Sequence, residues 1–227
     1  MENHKKFSRH DINHNIHDHL NEISREFRAG FEELKKYPKS ITIFGSSRST
    51  PASSHYRDAQ ELAYRVTKEL GYTVITGGGP GIMAAANLGA KEAGGKSIGL
   101  TIRLPDEQHT NPYVTDSLNF KYFFARKTML TFAAEAFVFF PGGYGTLDEF
   151  FSIVTLVQTR MIPRVPIILV GKDYWNAFKT FLTAHALETH HAISQDDIDL
   201  FHITNSIEAT IDIIKKAPVS KWWETVD

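Results

Sequence analysis

The sequence predicts an α/β domain of the Rossmann-like, doubly wound class, in which helices cover both faces of a parallel sheet. Two observations predict this fold. Short apolar runs alternate with helical patterns of about 10 to 16 residues along most of the 227-residue chain, as they do in βαβ units. Glycine-rich turns follow several of the apolar runs, and turns after parallel strands meet at one edge of the sheet. We expect a helical extension at residues 1–39 and the α/β domain at residues 40–227.

The extension consists mainly of one predicted helix, residues 11–37. Its apolar residues recur at steps of three and four and form a single stripe: Ile12, Ile16, Leu20, Ile23, Phe27, Phe31 and Leu34. Pro38 ends the helix. Such a stripe must be buried, either against the chain's own core or against a second subunit.

Histidines are frequent at the start of this helix, which raises the question of a metal site. His10, His14 and His17 share one helical face, with His4 and His19 nearby. No carboxylate completes an evident ligand set, and histidines on a polar face are usually solvated. We therefore expect no metal site.

Seven strands and six further helices are predicted after the extension. The strands cover residues 41–44, 72–76, 96–101, 119–123, 136–140, 167–170 and 200–204. The helices cover residues 55–70, 82–93, 125–133, 146–161, 174–188 and 207–216. Right-handed crossovers between parallel strands then build the doubly wound sheet.

Two glycine-rich turns each follow a predicted strand and precede a predicted helix. The first, residues 77–81, reads GGGPG, and the second, residues 141–145, reads PGGYG. Glycine lets bare backbone amides approach a ligand, and the helix start adds free N–H groups and its positive dipole end. Each turn is therefore a candidate anion site. The alternative for the first turn is a tight connection that needs glycine for packing alone.

Four polar side chains near these turns admit two interpretations. Thr146 and Glu149 have the spacing of a capping box, in which the glutamate only satisfies backbone amides. The same carboxylate would also lie beside the second anion site. Arg126 and Lys127 favour a ligand, because two cations at the start of a helix oppose its dipole and suggest an anionic partner. A solvent-facing basic pair is the alternative.

Composition excludes several classes of protein and site. Cysteine is absent, so there is no thiol nucleophile, disulfide or cysteine-ligated metal. The net charge of −1, from 25 basic and 26 acidic side chains, gives no case for nucleic-acid binding. The apolar runs are too short to cross a membrane, and the first residues lack the apolar segment of a secretory signal. We expect a cytoplasmic protein.

Two familiar nucleotide motifs fit the chain poorly. Residues 90–97 approach a Walker A sequence, but a helix precedes them and a strand follows, the reverse of a phosphate-binding loop. Residues 77–81 lack the glycine spacing of a dinucleotide fingerprint, and the next strand ends without an acidic residue for a ribose hydroxyl. We therefore expect no nicotinamide or flavin, and no other cofactor.

Four motifs occur in an order that resembles one known family. Residues 44–47 read FGSS, residues 77–83 read GGGPGIM, Arg126-Lys127 follows, and residues 141–149 read PGGYGTLDE. The last motif is similar to the PGGxGTxxE signature of the LONELY GUY (LOG) family. Its members are the phosphoribohydrolases that activate cytokinins, and they are often mislabelled lysine decarboxylases. The resemblance covers about residues 40–215.

The resemblance implies a hydrolase that cleaves the N-glycosidic bond of nucleoside 5′-monophosphates and releases the free base and ribose 5-phosphate. It implies that residues 40–227 form a nucleotide-binding catalytic domain in which Arg126 and Glu149 are catalytic. The residues implied for substrate and phosphate binding are Ser46, Gly78, Gly79, Gly81, Met83, Lys127, Gly142, Gly143, Gly145 and Thr146. It also implies a homodimer or higher homo-oligomer that acts on a small molecule, with no nucleic-acid or membrane partner.

Two departures from the plant-type members bear on the substrate. Phe123-Phe124-Ala125 stands where those members place Met-His before the arginine region, and the 39-residue extension exceeds what compact members need. Both favour a broader purine monophosphate nucleosidase, tested first with AMP, over a cytokinin-specific enzyme. The alternative hypothesis is a nucleotide-binding or carrier protein without turnover, which needs neither Arg126 nor Glu149.

Overall fold

The computed structural model describes residues 16–103, 109–132 and 134–217, which alternate strands and helices after a first helix. The strands are β1 (Ser40–Phe44), β2 (Thr73–Thr76), β3 (Ser97–Ile102), β4 (Asp116–Phe120), β5 (Phe137–Phe139), β6 (Ile167–Val170) and β7 (His202–Thr204). The helices are α1 (Ile16–Leu34), α2 (Ser54–Leu70), α3 (Ile82–Glu92), α4 (Phe123–Phe132), α5 (Tyr144–Gln158), α6 (Lys172–Phe181), α7 (Gln195–Ile198) and α8 (Ile207–Lys216).

The strands form one parallel sheet of seven in the order β4-β3-β2-β1-β5-β6-β7. The chain winds outward from β1 to β4 and then returns to β5, where Thr42 is in register with Phe137. The winding direction therefore reverses between β1 and β5. Ligands of such sheets bind beyond the carboxyl ends of the strands at this reversal. The Rossmann-like fold predicted from the sequence is confirmed.

Two hydrophobic layers cover the faces of the sheet. On one face, Phe150 of α5 and Trp175 of α6 belong to a buried cluster with the strands. On the other face, Leu62 of α2 and Ile211 of α8 belong to a second cluster. Strand β6 is apolar and buried along its whole length because both of its faces are covered.

Helix α1 packs against the same layer as α4. Leu34 is buried in that cluster and Phe27 packs against it, whereas Ile16 and Leu20 are exposed. The apolar stripe predicted for this helix is thus covered in part by the chain's own core. Residues 11–15, which were also predicted to be helical, lie outside the described residues.

The described ranges contain neither a membrane-spanning helix nor a cluster of metal ligands. None of their helices has both the length and the hydropathy that crossing a bilayer requires. In the same ranges, no three histidine, aspartate or glutamate side chains are arranged to hold a metal ion. His4, His10 and His14 of the predicted histidine face are not among the residues described.

Two of the differences between the element bounds and the sequence prediction concern β4 and the segment after α6. Strand β4 ends at Phe120 rather than at Phe123, which instead begins α4. This strand lies at the edge of the sheet and alternates half-exposed with exposed residues over most of its length, so that it lacks a clear apolar run. The helix predicted at residues 174–188 is α-helical only in its first part. α6 ends at Phe181, and a π-helical segment, Leu182–Thr189, follows it.

Candidate active site

A cavity of about 640 Å³ opens at the carboxyl edge of the sheet, where β1 and β5 meet. This volume lies in the range of small-molecule sites. Loops after β1, β2 and β5 and the first turns of α3, α4 and α5 form its walls. The lining residues are Phe44, Gly45, Ser46, Ser47, Arg48, Gly77, Met83, Ile102, Phe123, Arg126, Leu130, Gly143, Tyr144, Gly145, Thr146 and Glu149.

Glu149 faces this cavity from the second turn of α5. The helix begins at Tyr144 with Gly143 as its N-cap, so Thr146 is already inside the helix and donates its N–H to the Gly143 carbonyl at 3.0 Å. The interpretation of Thr146 and Glu149 as a capping box is therefore wrong. Glu149 is only 5% exposed, and its Oε2 is buried with no hydrogen-bond partner among the described residues.

The electrostatic environment of Glu149 shifts the pKa of its carboxyl group. Burial raises its pKa to about 7, because desolvation disfavours the charged form. The neighbouring cations Lys127 and Arg126 act in the opposite direction, and Asp148 raises the pKa further. Near neutral pH the group can therefore exist as a carboxylate or as an acid.

Arg126 reaches the same cavity from the end of the first turn of α4. Its Nε donates a hydrogen bond of 2.6 Å to the carbonyl of Leu100 on β3. Gly77 lies directly against the guanidinium, and a Cβ at that position would collide with it. Burial lowers the pKa of Arg126, while the adjacent Glu149 carboxylate raises it. An arginine nevertheless stays charged in proteins, so the site holds a fixed cation beside Glu149.

The sequence predicted that Lys127, together with Arg126, would bind a ligand, but the structure places Lys127 elsewhere. Its Nζ lies 2.6 Å from Oδ2 of Asp148 and donates to the hydroxyl of Ser152 at 2.9 Å. It is not among the described residues that line the cavity. Its role within the structure is to join α4 to α5 and to lower the pKa of Glu149.

The first glycine turn is used largely for packing. Gly78 donates its amide to the hydroxyl of Thr76 at 2.9 Å and, with Gly79, lines a much smaller adjoining cavity. Gly81 has φ of +70°, and a Cβ there would collide with the backbone of Ser46 and Ser47. These contacts fit the packing alternative for the turn. Met83, in the first turn of α3, does line the main cavity.

The second glycine turn presents the start of α5 to the cavity. Gly143, Gly145 and Thr146 are lining residues, and the first amides of a helix have no acceptor within it. Gly142 lies behind them, where its carbonyl accepts a 2.8 Å hydrogen bond from the hydroxyl of Tyr174. Ser46 lines the cavity from the loop after β1.

Among the lining residues, Arg48, Phe123 and Tyr144 were not predicted as binding residues from the sequence. Arg48 is exposed, and its guanidinium forms no hydrogen bond or ion pair with the other described residues. Phe123 and Tyr144 are 48% and 93% exposed and supply aromatic walls. The signal available for Arg48 was a cation just beyond a strand end. Tyr144 occupies the variable position of the PGGxGTxxE pattern, so the pattern carries no information about it.

The site thus combines two guanidinium groups, one poised carboxyl group, a helix N-terminus and apolar walls. The cations and helix start suit an anionic group on a ligand. The aromatic and aliphatic side chains suit a flat apolar ring. The carboxyl group can serve as a base, as an acid or as a countercharge to a developing cation.

Comparison with known proteins gives matches in sequence and in fold. A family model described as "Possible lysine decarboxylase" matches residues 83–214. Cytokinin riboside 5′-monophosphate phosphoribohydrolase LOG7 of Arabidopsis thaliana is 29% identical over 153 residues, which are 66% of this chain and 70% of that protein. The cytokinin riboside 5′-monophosphate phosphoribohydrolase of Rhodococcoides fascians is 22% identical over 69% of this chain and 80% of its own length.

Among solved structures, the molybdenum cofactor binding protein of Rippkaea orientalis has a TM-score of 0.58 at 21% identity, covering 78% of this chain and 93% of that one. The molybdenum cofactor carrier protein of Chlamydomonas reinhardtii has a TM-score of 0.56 at 24% identity, covering 79% and 97%. At these identities the likeness establishes a shared fold.

Proposed function

The chain belongs to the LONELY GUY family, and from this premise we propose that it is a phosphoribohydrolase of nucleoside 5′-monophosphates. In this reaction water attacks C1′ of the ribose while the bond from C1′ to the base nitrogen breaks. The base leaves with a proton, and the sugar is released as ribose 5-phosphate. Relatives named as cytokinin riboside monophosphate phosphoribohydrolases support the reaction class.

One observation carries the proposal, namely the state of Glu149. A buried carboxylate oxygen without a partner costs folding free energy. Because the helix cap is Gly143, that cost is not explained by a structural role at the helix start. A carboxylate kept at the wall of a ligand-sized cavity at such a cost is typical of a functional group.

The chemistry of N-glycoside cleavage gives this carboxylate a task. The transition state resembles an oxocarbenium ion, with positive charge on the ribose and negative charge on the departing base. Ionised Glu149 stabilises the positive charge and orients the attacking water. The guanidinium of Arg126, held in place by Leu100, stabilises the leaving base or fixes the geometry of Glu149.

The remaining walls accommodate the other parts of a nucleotide. We assign the 5′-phosphate to the start of α5, where Gly143, Gly145 and Thr146 present the helix N-terminus, with Arg48 as the cation that pairs with it. The aromatic rings of Phe123 and Tyr144 are suited to stacking on the base. Holding both ends of the substrate positions C1′ for attack.

The substrate we propose to test first is AMP. The aromatic pair at residues 123–124 and the helix α1 are the features by which this chain departs from the plant-type pattern, and both favour broader base selection. The decarboxylase description of the family model receives no support from the cavity, because the described residues lining it include no lysine that could form a Schiff base.

The competing hypothesis is a nucleotide-binding or carrier protein without turnover. The similar structures that are named as molybdenum cofactor proteins share the fold, and a carrier would use the same cavity. A carrier gains nothing from burying Glu149 unpaired beside Arg126. This arrangement therefore favours the enzyme.

A panel of monophosphates distinguishes the two hypotheses. The purified protein is incubated with AMP, N6-isopentenyl-AMP, IMP, GMP and CMP, with adenosine as the control that lacks the phosphate. Free base and ribose 5-phosphate are quantified by chromatography. The proposal expects equimolar release of both products from at least one monophosphate and little from adenosine. A folded protein that binds AMP but releases no base from any of them would instead be a carrier.

We further propose, from the family resemblance, that the chain forms a homodimer and acts in the cytoplasm, with residues 1–39 as an extension of the catalytic domain. The exposed apolar residues Ile16 and Leu20 of α1 leave surface for a subunit contact. Light scattering of the intact protein measures the oligomeric state directly, and a monomeric mass would contradict the dimer.

A further inference from the structure

We propose that Glu26 of helix α1 is a positioning residue that holds the start of α4, and through it Arg126, in the active geometry. This inference rests on the proposed function, because it gives Arg126 a task in the reaction. It assigns a role in the active site to a helix that lies outside the sheet and does not touch the cavity.

The Glu26 carboxylate supplies the acceptors for two backbone amides immediately before the first residue of α4. Its Oε1 accepts from the N–H of Lys121 at 2.6 Å, and its Oε2 accepts from the N–H of Tyr122 at 3.1 Å. The carbonyl of Tyr122 in turn accepts the N–H of Arg126 at 3.2 Å. Amides at a helix start need acceptors from outside the helix. Here another helix provides them.

Further contacts fix α1 along α4. Glu22 lies 2.6 Å from the Nζ of Lys121 and accepts a 3.1 Å hydrogen bond from the hydroxyl of Tyr122. Gly30 packs so closely on Met129 that a Cβ would collide with the Met129 side chain. These contacts, from both ends of the interface, give Glu26 a fixed register relative to α4.

The charge of Glu26 also bears on the two cations that lie early in α4. Arg126 and Lys127 lie early in α4, where the helix dipole disfavours cations. The Glu26 carboxylate bonds to that helix start, and Glu22, whose pKa is lowered by its hydrogen bond with Lys121, adds a second negative charge. Negative charges are favoured at this end of a helix, whereas the anions closest to the basic pair are Asp148, which pairs with Lys127, and Glu149, which lies beside Arg126.

Arg126 is consequently held between two anchors. The start of its helix is bonded to Glu26, and its own Nε is bonded to Leu100. Loss of the first anchor lets α4 shift or fray at the turn that carries the guanidinium. Catalysis is sensitive to displacements of about 1 Å in a positioned group.

The test compares Glu26→Ala, which removes both acceptors, with Glu26→Gln, which keeps one acceptor oxygen and the shape. The matched control is Glu32→Ala, an exposed glutamate on the same helix. With AMP as substrate, or the best substrate of the panel, kcat should fall on the order of tenfold to a hundredfold in Glu26→Ala. It should fall less in Glu26→Gln and stay unchanged in Glu32→Ala.

A double variant separates positioning from general destabilisation. In an Arg126→Ala background, adding Glu26→Ala should cost almost no further kcat, because the group that Glu26 positions is already gone. An equal fold-loss in both backgrounds, or an unchanged kcat in Glu26→Ala, would overturn the inference. Thermal unfolding shows whether each variant is folded. If Glu26→Ala does not fold, the comparison is made with Glu26→Gln instead.

Hydrogen exchange keeps this inference separate from the enzymatic proposal. In Glu26→Ala, amides of residues 121–129 should exchange faster while those of β1 and β5 stay protected. That result would uphold the positioning contact even if the wild-type protein released no base. Unchanged exchange across residues 121–129 would reject the contact whatever the activity.

Discussion

The Nζ of Lys127 lies 2.6 Å from Oδ2 of Asp148, which places a salt bridge next to both proposed catalytic residues. Lys127 follows Arg126 on α4, and Asp148 precedes Glu149 on α5. The bridge therefore ties together the two helices that bring the guanidinium and the carboxyl group to the cavity. Its two charges also act on the pKa of Glu149 in opposite directions.

This salt bridge predicts opposite pH shifts for two substitutions. If ionised Glu149 is required, kcat/KM rises with pH through the pKa of this group, which is about 7. Lys127→Met removes a charge that lowers the pKa, so the acidic limb should move to higher pH. Asp148→Asn removes a charge that raises the pKa, so the limb should move to lower pH.

The measurement is kcat/KM against pH at constant ionic strength for both variants and the wild type. A phosphate group titrates near pH 6, but this substrate titration is common to all three proteins and cancels in the comparison. Shifts of the two variants in the same direction, or no shift in either, would refute the assigned role of Glu149.

Arg48 is predicted to contribute to substrate binding rather than to the chemical step. Arg48→Gln should raise KM for the monophosphate about tenfold and leave kcat nearly unchanged, because a charge-assisted contact to phosphate is lost in both ground and transition states. The matched control is Arg57→Gln. Arg57 is an exposed arginine of α2 whose Nη1 bonds to the carbonyl of Ala52, and it does not line the cavity. An equal weakening of adenosine binding, measured by calorimetry, would show that Arg48 does not contact the phosphate.

The parts of the fold with strong local signals were predictable from the sequence. Strands such as β6 are continuous apolar runs, and Gly71 ends α2 in the left-handed conformation, as expected from its position after the periodic segment. The predicted bounds of β4 were wrong because an edge strand with exposed residues has a weak hydrophobic pattern. The predicted start of α5 was wrong because Thr146 has the sequence of an N-cap residue, whereas the N-cap in the structure is Gly143.

Within the site, the sequence identified side chains whose type and local motif suggest chemistry, such as Arg126 and Glu149. It did not identify Arg48 or Tyr144 as binding residues, and it did not place Phe123 in the same cavity, because their approach to one cavity depends on which strand ends become neighbours. The partner of Lys127 was missed for a related reason. Contact between α4 and α5 is a tertiary relation, and spacing along the chain does not encode it.

The proposed reaction depends most directly on the charge of the Glu149 carboxylate during turnover. The decisive measurement is therefore base release by Glu149→Gln, compared with wild type, at saturating monophosphate and pH 8. We predict a loss in kcat on the order of a hundredfold or more. AMP binding and thermal stability should be retained, since a neutral amide of the same shape is easier to bury than a charge. A variant that keeps wild-type kcat would contradict the proposed mechanism.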